Sequence, residues 1–288
     1  MKPYLLKMII VKTTKHLTFL LEDCKRNSRS VGFVPTMGAL HMGHISLIHY
    51  CKNAHPVCVS SIFVNPAQFN NVIDFERYPI TIEKDIDMLE EAGCDILFLP
   101  SVAEMYPAGE AVINYQLGYL EIILEGKYRP GHFQGVCRIV DKLLSIVKPA
   151  ELFLGQKDYQ QCMIIKKLIS LKNYHIEVKI LPTIREANGL AMSSRNMRLM
   201  GYEKQKALMI SQALFTIRDE ILPGNIEALK LKIKNILKDN SFKVDYVEIA
   251  DSATLQTIET WDGKQNIVAL IAAYLNDIRL IDNLMLSP

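Results

Sequence analysis

The chain has 288 residues, a length that suits one large domain or two ordinary ones. Hydrophobic residues make up 49% of it and charged residues 22%, which excludes a largely disordered protein. The formal net charge is +2 and no apolar run approaches the roughly 20 residues of a membrane-spanning helix, so we expect a soluble globular protein that binds neither nucleic acid nor membrane.

Short apolar, β-branched runs alternate with helix-period segments through the first two thirds of the chain. In chain order, the pattern predicts a strand at 30–35, a helix at 45–54, a strand at 57–64, a helix at 82–92, a strand at 95–99, a helix at 135–147, a strand at 151–154, a helix at 162–171 and a strand at 176–181. This alternation is typical of an α/β fold with a parallel sheet and helices on both faces. Ligands of such sheets bind at the carboxyl ends of the strands.

The pattern changes after about residue 185. Predicted helices at 203–221 and 226–238 are separated by a Pro-Gly break, and predicted strands follow at 243–250 and 267–274, with 276–280 as a candidate third strand. We therefore predict a Rossmann-like domain at residues 1–183, which binds the ligands, followed by a smaller α+β C-terminal lid domain at residues 184–288.

The cysteines indicate a reducing compartment. They are Cys24, Cys51, Cys58, Cys94, Cys137 and Cys162. No two have the spacing of a metal finger or a redox pair, and several lie inside apolar runs. We expect buried, reduced thiols and a cytoplasmic protein, and residues 1–17 lack the basic head and long apolar run of a signal peptide.

The most informative segment lies between the first predicted strand and the helix that follows it. Residues 35–44 read PTMGALHMGH, and they place His41 and His44 on either side of Gly43 in the first helical turn. The dipole and the N–H groups of a helix start attract phosphate. Two histidines at a helix start are often only surface residues, but residues 36–38 before them complete a turn that favours a nucleotide site.

Two segments supply polar side chains at the ends of other predicted strands. Residues 63–69, FVNPAQF, place Asn65 and Gln68 after the second strand, and primary amides both donate to and accept from hydroxyl and carboxylate groups. Residues 155–158, GQKD, follow a later strand, where Lys157 can reach a phosphate and Asp158 a ribose hydroxyl. By chemistry alone, each segment is equally an ordinary surface turn.

A third segment opens the second domain. Residues 191–196 read AMSSRN, and the two hydroxyls and the guanidinium of Ser193, Ser194 and Arg195 form an array of donors that suits diphosphate oxygens. A Ser-Ser-Arg loop is usually just solvated. Its place at the predicted domain junction, downstream of the two histidines, is what makes it a candidate site.

The HxGH string in a strand-to-helix turn resembles the nucleotidyltransferase superfamily, which includes the class I aminoacyl-tRNA synthetases. The longer string PTMGALHMGH resembles the pantoate–β-alanine ligase family, as do FVNPAQF and the segment YRPGHF at 128–133. The resemblance runs from Met8 over nearly the whole chain; residues 1–7 extend beyond the usual start, which makes Met8 a candidate initiator. It leaves open whether Arg129 and His132 contact substrate.

Three positions depart from the family pattern. Ile80 stands where arginine is frequent, Arg138 where a small or apolar residue is common, and Asn188 where aspartate is usual. We expect these departures to affect local stability or the detail of the cleft rather than the assignment.

The resemblance implies the ATP-dependent condensation of (R)-pantoate with β-alanine to pantothenate, AMP and diphosphate through a pantoyl adenylate. It also implies Mg²⁺ bound with ATP and a homodimer through the first domain. No cluster of carboxylates in the sequence indicates a metal site formed by the protein, so we expect no metal ligand from it. The implied catalytic residues are His41, His44, Lys157, Ser193, Ser194 and Arg195. The implied ATP-binding residues add Thr36, Met37, Gly38, Ala39, Leu40, Met42, Gly43, Gly155, Gln156, Asp158, Ile184 and Met192, and the implied pantoate-binding residues are Asn65, Gln68 and Gln161.

Two other functions are consistent with these motifs. One is an enzyme of the same fold that transfers an adenylyl group to a phosphorylated alcohol. Observing ATP–diphosphate exchange that requires pantoate would exclude it. The other is a non-catalytic binder of ATP or RNA. The near-neutral charge disfavours RNA, and the full set of catalytic-type loops disfavours a mere sensor.

Overall fold

The computed structural model of the protein describes residues 8–286, so the expectation for residues 1–7 lies outside the described residues. The described chain forms two compact units. The first holds the residues up to Gly155 together with Gln161–Pro182, and the second holds Gln156–Gln160 together with the residues from Thr183 onward. The assignment of ligand binding and lid movement to domains 1–183 and 184–288 stays a prediction.

A six-stranded parallel sheet forms the centre of the first unit. Its strands are β1 (Ile9–Val11), β2 (Val31–Thr36), β3 (Val57–Ile62), β4 (Ile96–Phe98), β5 (Glu151–Gly155) and β6 (Glu177–Leu181), in the spatial order β1-β4-β3-β2-β5-β6. From β2 the chain proceeds to β3 and β4 on one side and later to β5 and β6 on the other. The strand order therefore reverses between β2 and β5, and ligands of such sheets bind outside the carboxyl ends at that point.

Nine helices belong to this part of the described chain, the last beginning with two residues of the second unit. They are α1 (Thr14–Arg26), α2 (Met42–Ala54), α3 (Val72–Glu76), α4 (Ile82–Glu91), α5 (Val102–Met105), α6 (Tyr119–Ile122), α7 (Leu124–Tyr128), α8 (His132–Val147) and α9 (Tyr159–Leu171). Alternate strand residues enter different cores: Phe33 and Val59 pack with α1, α8 and α9, while Val34 and Cys58 pack with α2 and α4. The predicted parallel sheet with helices on both faces is confirmed.

Two elements at the start of the described chain were not predicted. Strand β1 has only three residues, and α1 follows it after two, so neither shows a long periodic pattern. The first turn of α1 is capped by Thr13, whose side chain accepts the His16 N–H at 3.3 Å. The expectation for the thiols is confirmed, because all six cysteines are free and buried.

The second unit is α+β, as predicted. Its elements are α10 (Gly201–Glu220), β7 (Gly224–Asn225), α11 (Glu227–Asp239), β8 (Lys243–Asp251), β9 (Thr260–Trp261), β10 (Ile267–Leu275) and β11 (Ile278–Leu286). An antiparallel sheet in the order β11-β10-β8 packs against α10 and α11, and the short strands β7 and β9 pair separately. The candidate third strand is longer than expected. No helix within residues 8–286 has the length and apolarity needed to cross a membrane.

Candidate active site

The loop between β2 and α2 is held by hydrogen bonds from side chains. The Thr36 hydroxyl donates to the Ser61 carbonyl at 2.8 Å and accepts the Gly38 N–H at 3.2 Å. Gly38 has φ +81°, and a Cβ built on it would lie 3.0 Å from the Ile62 side chain. Glycine is therefore required at this turn, both for its backbone angle and for space.

A buried carboxylate on α4 completes this loop. Asp85 is fully buried, and its two oxygens accept the N–H groups of Ala39 and Leu40, each at 2.8 Å. Thr81 donates to it at 3.0 Å, and Ala39 is held at φ +49°. The two N–H groups are thus occupied by protein. Contact of Ala39 and Leu40 with ATP stays a prediction, but it does not run through these amides.

The two histidines of the motif organise the start of α2. His41 is the N-cap, and its Nδ1 accepts the Gly43 N–H at 3.1 Å, while Nδ1 of His44 accepts the His41 N–H at 3.3 Å. A backbone N–H only donates, so both Nδ1 atoms are acceptors and each neutral ring carries its proton on Nε2. The rings are stacked at a tilt, with centroids 4.0 Å apart.

The same hydrogen bonds involve backbone groups of this turn, and its contact with phosphate stays a prediction. The Gly43 N–H is bonded to His41, and the N–H groups of His44 and Ile45 bond to the His41 carbonyl. Since Nδ1 of each ring accepts a backbone N–H, the N–H of each neutral imidazole lies on Nε2. Both histidines are half-buried.

Asn65 lies in a turn after β3 that closely approaches α8. It is 1% exposed, and all four of its amide hydrogen-bonding positions are filled. Its oxygen accepts from the Tyr106 hydroxyl at 2.7 Å and the Ala67 N–H at 3.2 Å, and its nitrogen donates to the Gly135 carbonyl and to the Gln68 Oε1, each at 3.0 Å. Asn65 thus orients Gln68, and its own contact with pantoate stays a prediction.

The close approach depends on Gly135. A Cβ built there would lie 2.0 Å from the Ala67 carbonyl oxygen, so no other residue fits on this face of α8 without a backbone shift.

His132 and Arg129 support the same turn from the other side. His132 is 5% exposed and its Nδ1 lies 2.7 Å from the Gln68 carbonyl oxygen, while Arg129 Nη1 lies 3.1 Å from its Nε2. Because a guanidinium only donates, Nε2 accepts and Nδ1–H donates to Gln68. The structure therefore gives these two residues, whose role the sequence left open, a part in holding the backbone of the turn.

The two glutamines follow strands on either side of β2. Gln68 is 8% exposed in the turn after β3, and Gln161 is half-buried in the first turn of α9, after β5. Since the sheet order is β3-β2-β5, the histidine loop emerges from the strand between them. Binding of pantoate by the two amides stays a prediction.

In the second unit, the Lys157 segment is fastened to β11. Asn283 donates from Nδ2 to the carbonyls of Gln156 and Lys157, at 3.0 and 2.8 Å, and accepts from the Gln156 side chain at 3.1 Å. The Lys157 ammonium lies 3.8 Å from the Asp158 carboxylate. Sequence reasoning missed Asn283, because nothing local marks its strand position.

The residue beside Asn283 anchors the beginning of the predicted lid. Arg185 donates to both oxygens of Asp282, at 2.6 and 3.0 Å, and to the Gly189 carbonyl at 3.2 Å. The Asp282 side chain is 3% exposed, and its burial raises the pKa of the carboxyl group although Arg185 opposes the shift. Neighbouring residues of β11 thus hold both predicted phosphate-binding segments of this unit.

The segment from Ile184 to Arg195 is internally bonded. Met192 donates its N–H to the Ile184 carbonyl at 3.0 Å, and Ser193 caps a short 3₁₀ helix, Ser194–Arg198, by accepting the Arg195 N–H at 3.3 Å. Ser194 is buried. The structure therefore uses Ser193 as a cap, and the phosphate-binding role of the three residues stays a prediction.

The three departures from the family pattern have local explanations. Asn188 accepts the Leu190 N–H at 3.1 Å, a bond that an aspartate oxygen makes equally well. Arg138 stacks on the Tyr106 ring, with its Cζ 4.3 Å from the centroid, and pairs with Glu110 at 3.1 Å. Ile80 is 72% exposed, so the position tolerates an apolar residue without a change in the core.

Within residues 8–286, no group of three or more His, Cys, Asp or Glu side chains is arranged so as to hold a metal ion. Asp85, the most buried carboxylate near the histidine loop, is already bonded to two backbone amides and a hydroxyl.

Comparison with known proteins gives one consistent result. A family model described as pantoate-beta-alanine ligase matches residues 9–285. The pantothenate synthetase of Cytophaga hutchinsonii is 48% identical over 97% of this chain and 99% of its own length, and that of Bacteroides fragilis is 41% identical over 96% and 98%.

Solved structures agree. The pantothenate synthetase of Thermus thermophilus is similar with a TM-score of 0.90 and 37% identity, covering 98% of this chain and 100% of its own. The pantoate-beta-alanine ligase of Francisella tularensis, complexed with beta-gamma ATP and beta-alanine, has a TM-score of 0.82 and 37% identity, covering 96% and 97%.

Proposed function

The chain belongs to the pantoate–β-alanine ligase family and catalyses the ATP-dependent condensation of pantoate with β-alanine to pantothenate, and we propose that its reaction proceeds through a pantoyl adenylate. A carboxylate is a poor electrophile, so its oxygen must first be joined to a good leaving group. Pantoate oxygen attacks the α-phosphorus of ATP and diphosphate departs. The β-alanine amine then attacks the acyl carbon, AMP departs, and the nitrogen loses its proton as the amide forms.

The observation that carries this proposal is the pair of imidazoles at the start of α2. Negative charge builds up on the triphosphate oxygens while the bond to diphosphate breaks, and donors fixed in advance stabilise it without having to reorganise. Backbone N–H groups hold His41 and His44 by their Nδ1 atoms, which places the N–H of each neutral ring on Nε2. We assign His44 the main electrostatic or proton-donating part.

Residues of the second unit are proposed to act on the phosphates as well. Lys157 supplies a compact positive charge from the segment held by Asn283, and Ser193, Ser194 and Arg195 supply hydroxyl and guanidinium donors. Mg²⁺ is proposed to arrive bound to the phosphates of ATP, since the described residues form no metal cage.

Replacing Arg195 with alanine is expected to weaken the use of ATP while the reaction of preformed pantoyl adenylate with β-alanine stays closer to normal. The reason is that diphosphate leaves in the first half-reaction only. Measuring both half-reactions separately tests this. Arg198→Ala is a matched control on the same short helix, because Arg198 pairs with Asp277 at 3.0 Å. Equal damage to both half-reactions would contradict a role confined to the diphosphate.

Replacing Gln161 or Gln68 with alanine is expected to impair both half-reactions, because the pantoyl group is present in each. The loss of one buried hydrogen bond to the substrate costs about 1–3 kcal/mol. Saturation curves for pantoate and for ATP in the two variants measure the effect, and the apparent affinity for ATP should change least. A defect confined to ATP would remove these residues from the pantoate site.

We further propose that the protein is a cytoplasmic homodimer. Six free, buried thiols support a reducing compartment, and the family resemblance supports the dimer. Sedimentation of the purified chain measures its oligomeric state directly.

The decisive experiment is to incubate the protein with ATP, pantoate and β-alanine and to measure AMP with each substrate omitted in turn. Pantothenate and AMP should appear together only when all three are present. ATP–diphosphate exchange should require pantoate and not β-alanine, as an adenylate intermediate demands. Exchange that instead requires a phosphorylated alcohol would replace this function with the alternative adenylyl transfer.

A further inference from the structure

The amide of Gln68 is held in one orientation by a chain of hydrogen bonds that begins at two backbone groups. Ala67 N–H can only donate and the Gly135 carbonyl can only accept, so together they fix which end of the Asn65 amide is oxygen and which is nitrogen. The nitrogen of Asn65 then faces Gln68, and the Gln68 atom that meets it at 3.0 Å must be its oxygen. The Gln68 nitrogen is therefore directed away from Asn65.

Tyr106 completes this arrangement. Its hydroxyl donates to the Asn65 oxygen at 2.7 Å, which gives that oxygen its second partner. Arg138 and Lys142 both lie over the Tyr106 ring, at 4.3 and 5.0 Å from its centroid, and Phe63 packs edge-on against it at 6.0 Å. The ring therefore has little freedom to withdraw.

The charge state of Tyr106 suits a permanent donor. Burial raises the pKa of its hydroxyl to about 12, with Glu110 adding to the shift and Arg138 opposing it. The group keeps its proton throughout the neutral range, so it does not become an acceptor that would repel the Asn65 oxygen.

We propose that Tyr106 and Asn65 are positioning residues that fix Gln68 as a hydrogen-bond donor toward pantoate, so that Gln68 recognises an acceptor oxygen of that substrate. This inference rests on the proposed function, in which Gln68 belongs to the pantoate site. It narrows the sequence-based expectation that the amide serves as donor and acceptor alike. At present the Gln68 nitrogen lies 2.8 Å from the Met37 sulfur, and a thioether is a weak acceptor that a substrate oxygen readily replaces.

The polarity is tested by comparing Gln68→Glu with Gln68→Ala. Glutamate keeps the shape and still accepts from Asn65, but it has no N–H to donate. If Gln68 donates, Gln68→Glu should raise the KM for pantoate at least as much as Gln68→Ala, roughly 5- to 150-fold, with the KM for ATP little changed. A Gln68→Glu enzyme that retains the pantoate affinity of the parent would show that Gln68 accepts, and it would overturn the proposal.

The positioning role is tested by Tyr106→Phe, alone and combined with Gln68→Ala. Alone, it should raise the KM for pantoate about 2- to 10-fold, the scale of one hydrogen bond, and leave kcat nearly unchanged. In the Gln68→Ala background the same substitution should have no further effect on that KM, because Tyr106 acts through Gln68. An unchanged KM in the single variant, or an effect of equal size in both backgrounds, would contradict the proposal that Tyr106 acts through Gln68.

A matched control distinguishes the positioning role of Tyr106 from a general loss of packing in the first unit. Tyr115 is another buried tyrosine of that unit, and it donates to Asp141 at 2.9 Å instead. Tyr115→Phe should leave the KM for pantoate unchanged. Failure of this positioning role is distinguishable from failure of the proposed function. If the unsubstituted protein forms no AMP from the three substrates, the proposed function is wrong. If that protein is active but Tyr106→Phe leaves the KM for pantoate unchanged, only the positioning role is contradicted.

Discussion

Replacing His44 with alanine is expected to slow formation of pantoyl adenylate roughly 10²–10³-fold, the usual result of losing one preorganised donor to a developing negative charge. The Nε2–H of this ring is directed by the bond between its Nδ1 and the His41 N–H, so the variant loses both the donor and its alignment. Diphosphate release in a single turnover with ATP and pantoate measures the step, and the thermal transition shows whether the fold is intact.

A neighbouring histidine supplies the control. His49 is exposed on the same helix, α2, and its replacement with alanine should leave the rate of adenylate formation unchanged. Normal turnover by His44→Ala would contradict the role assigned to the imidazole pair. A comparable loss in His49→Ala would show that damage to α2, and not the missing donor, explains the effect.

Replacing Arg185 with methionine is expected to lower the free energy of unfolding by about 3–5 kcal/mol, because it leaves a buried charge without its partner. The Asp282 side chain is 3% exposed and receives two bonds from this guanidinium. Chemical denaturation followed by circular dichroism measures the loss. The exposed pair Arg218–Asp219 offers a control, since Arg218→Met removes an ion pair that water already solvates.

The pH dependence of that loss has a definite sign. Without Arg185, burial raises the pKa of Asp282 further above its unfolded value, so the folded variant binds a proton that the unfolded chain has released. The stability of the Arg185→Met variant is therefore retained below the pKa that Asp282 has in the unfolded chain. It declines as the pH rises toward the higher pKa that Asp282 has in the folded variant. The loss should be smaller near pH 5 than near pH 8. Combining Arg185→Met with Asp282→Leu should restore most of the stability, and an equal loss at both pH values would contradict this account.

The fold was largely predictable because its signals are local. Strand β3 and helix α8 each carry a continuous apolar pattern, and the structure begins them within a few residues of the prediction. Strand β1 escaped prediction because three residues show no period, and it is stabilised by pairing with β4 and by the burial of Val11. Strand β11 was predicted too short because the polar residues Asp282 and Asn283, 4% and 2% exposed, interrupt its apolar pattern while they are buried.

The part of the candidate site that could be predicted from the sequence lies in one contiguous segment. The histidines of α2 stand in a contiguous string, and their setting between strand and helix is visible without a structure. The residues that position the other candidate segments are distant from them along the chain: Asp85 lies 46 residues from Ala39, Tyr106 lies 41 from Asn65, and Asn283 lies 126 from Lys157. Their functions depend on which strands become neighbours, and no local pattern contains that information.

The burial of every thiol has a practical consequence for watching the enzyme at work. The six cysteines are shielded from reagents that react only with accessible thiolates, so labelling is directed to cysteines introduced at exposed positions. Phe19 in the first unit and Tyr202 in the second are 62% and 71% exposed, and the double variant Phe19→Cys/Tyr202→Cys accepts a donor and an acceptor dye. Energy transfer between the dyes would then follow the separation of the two units in real time as ATP, pantoate and β-alanine are added in turn.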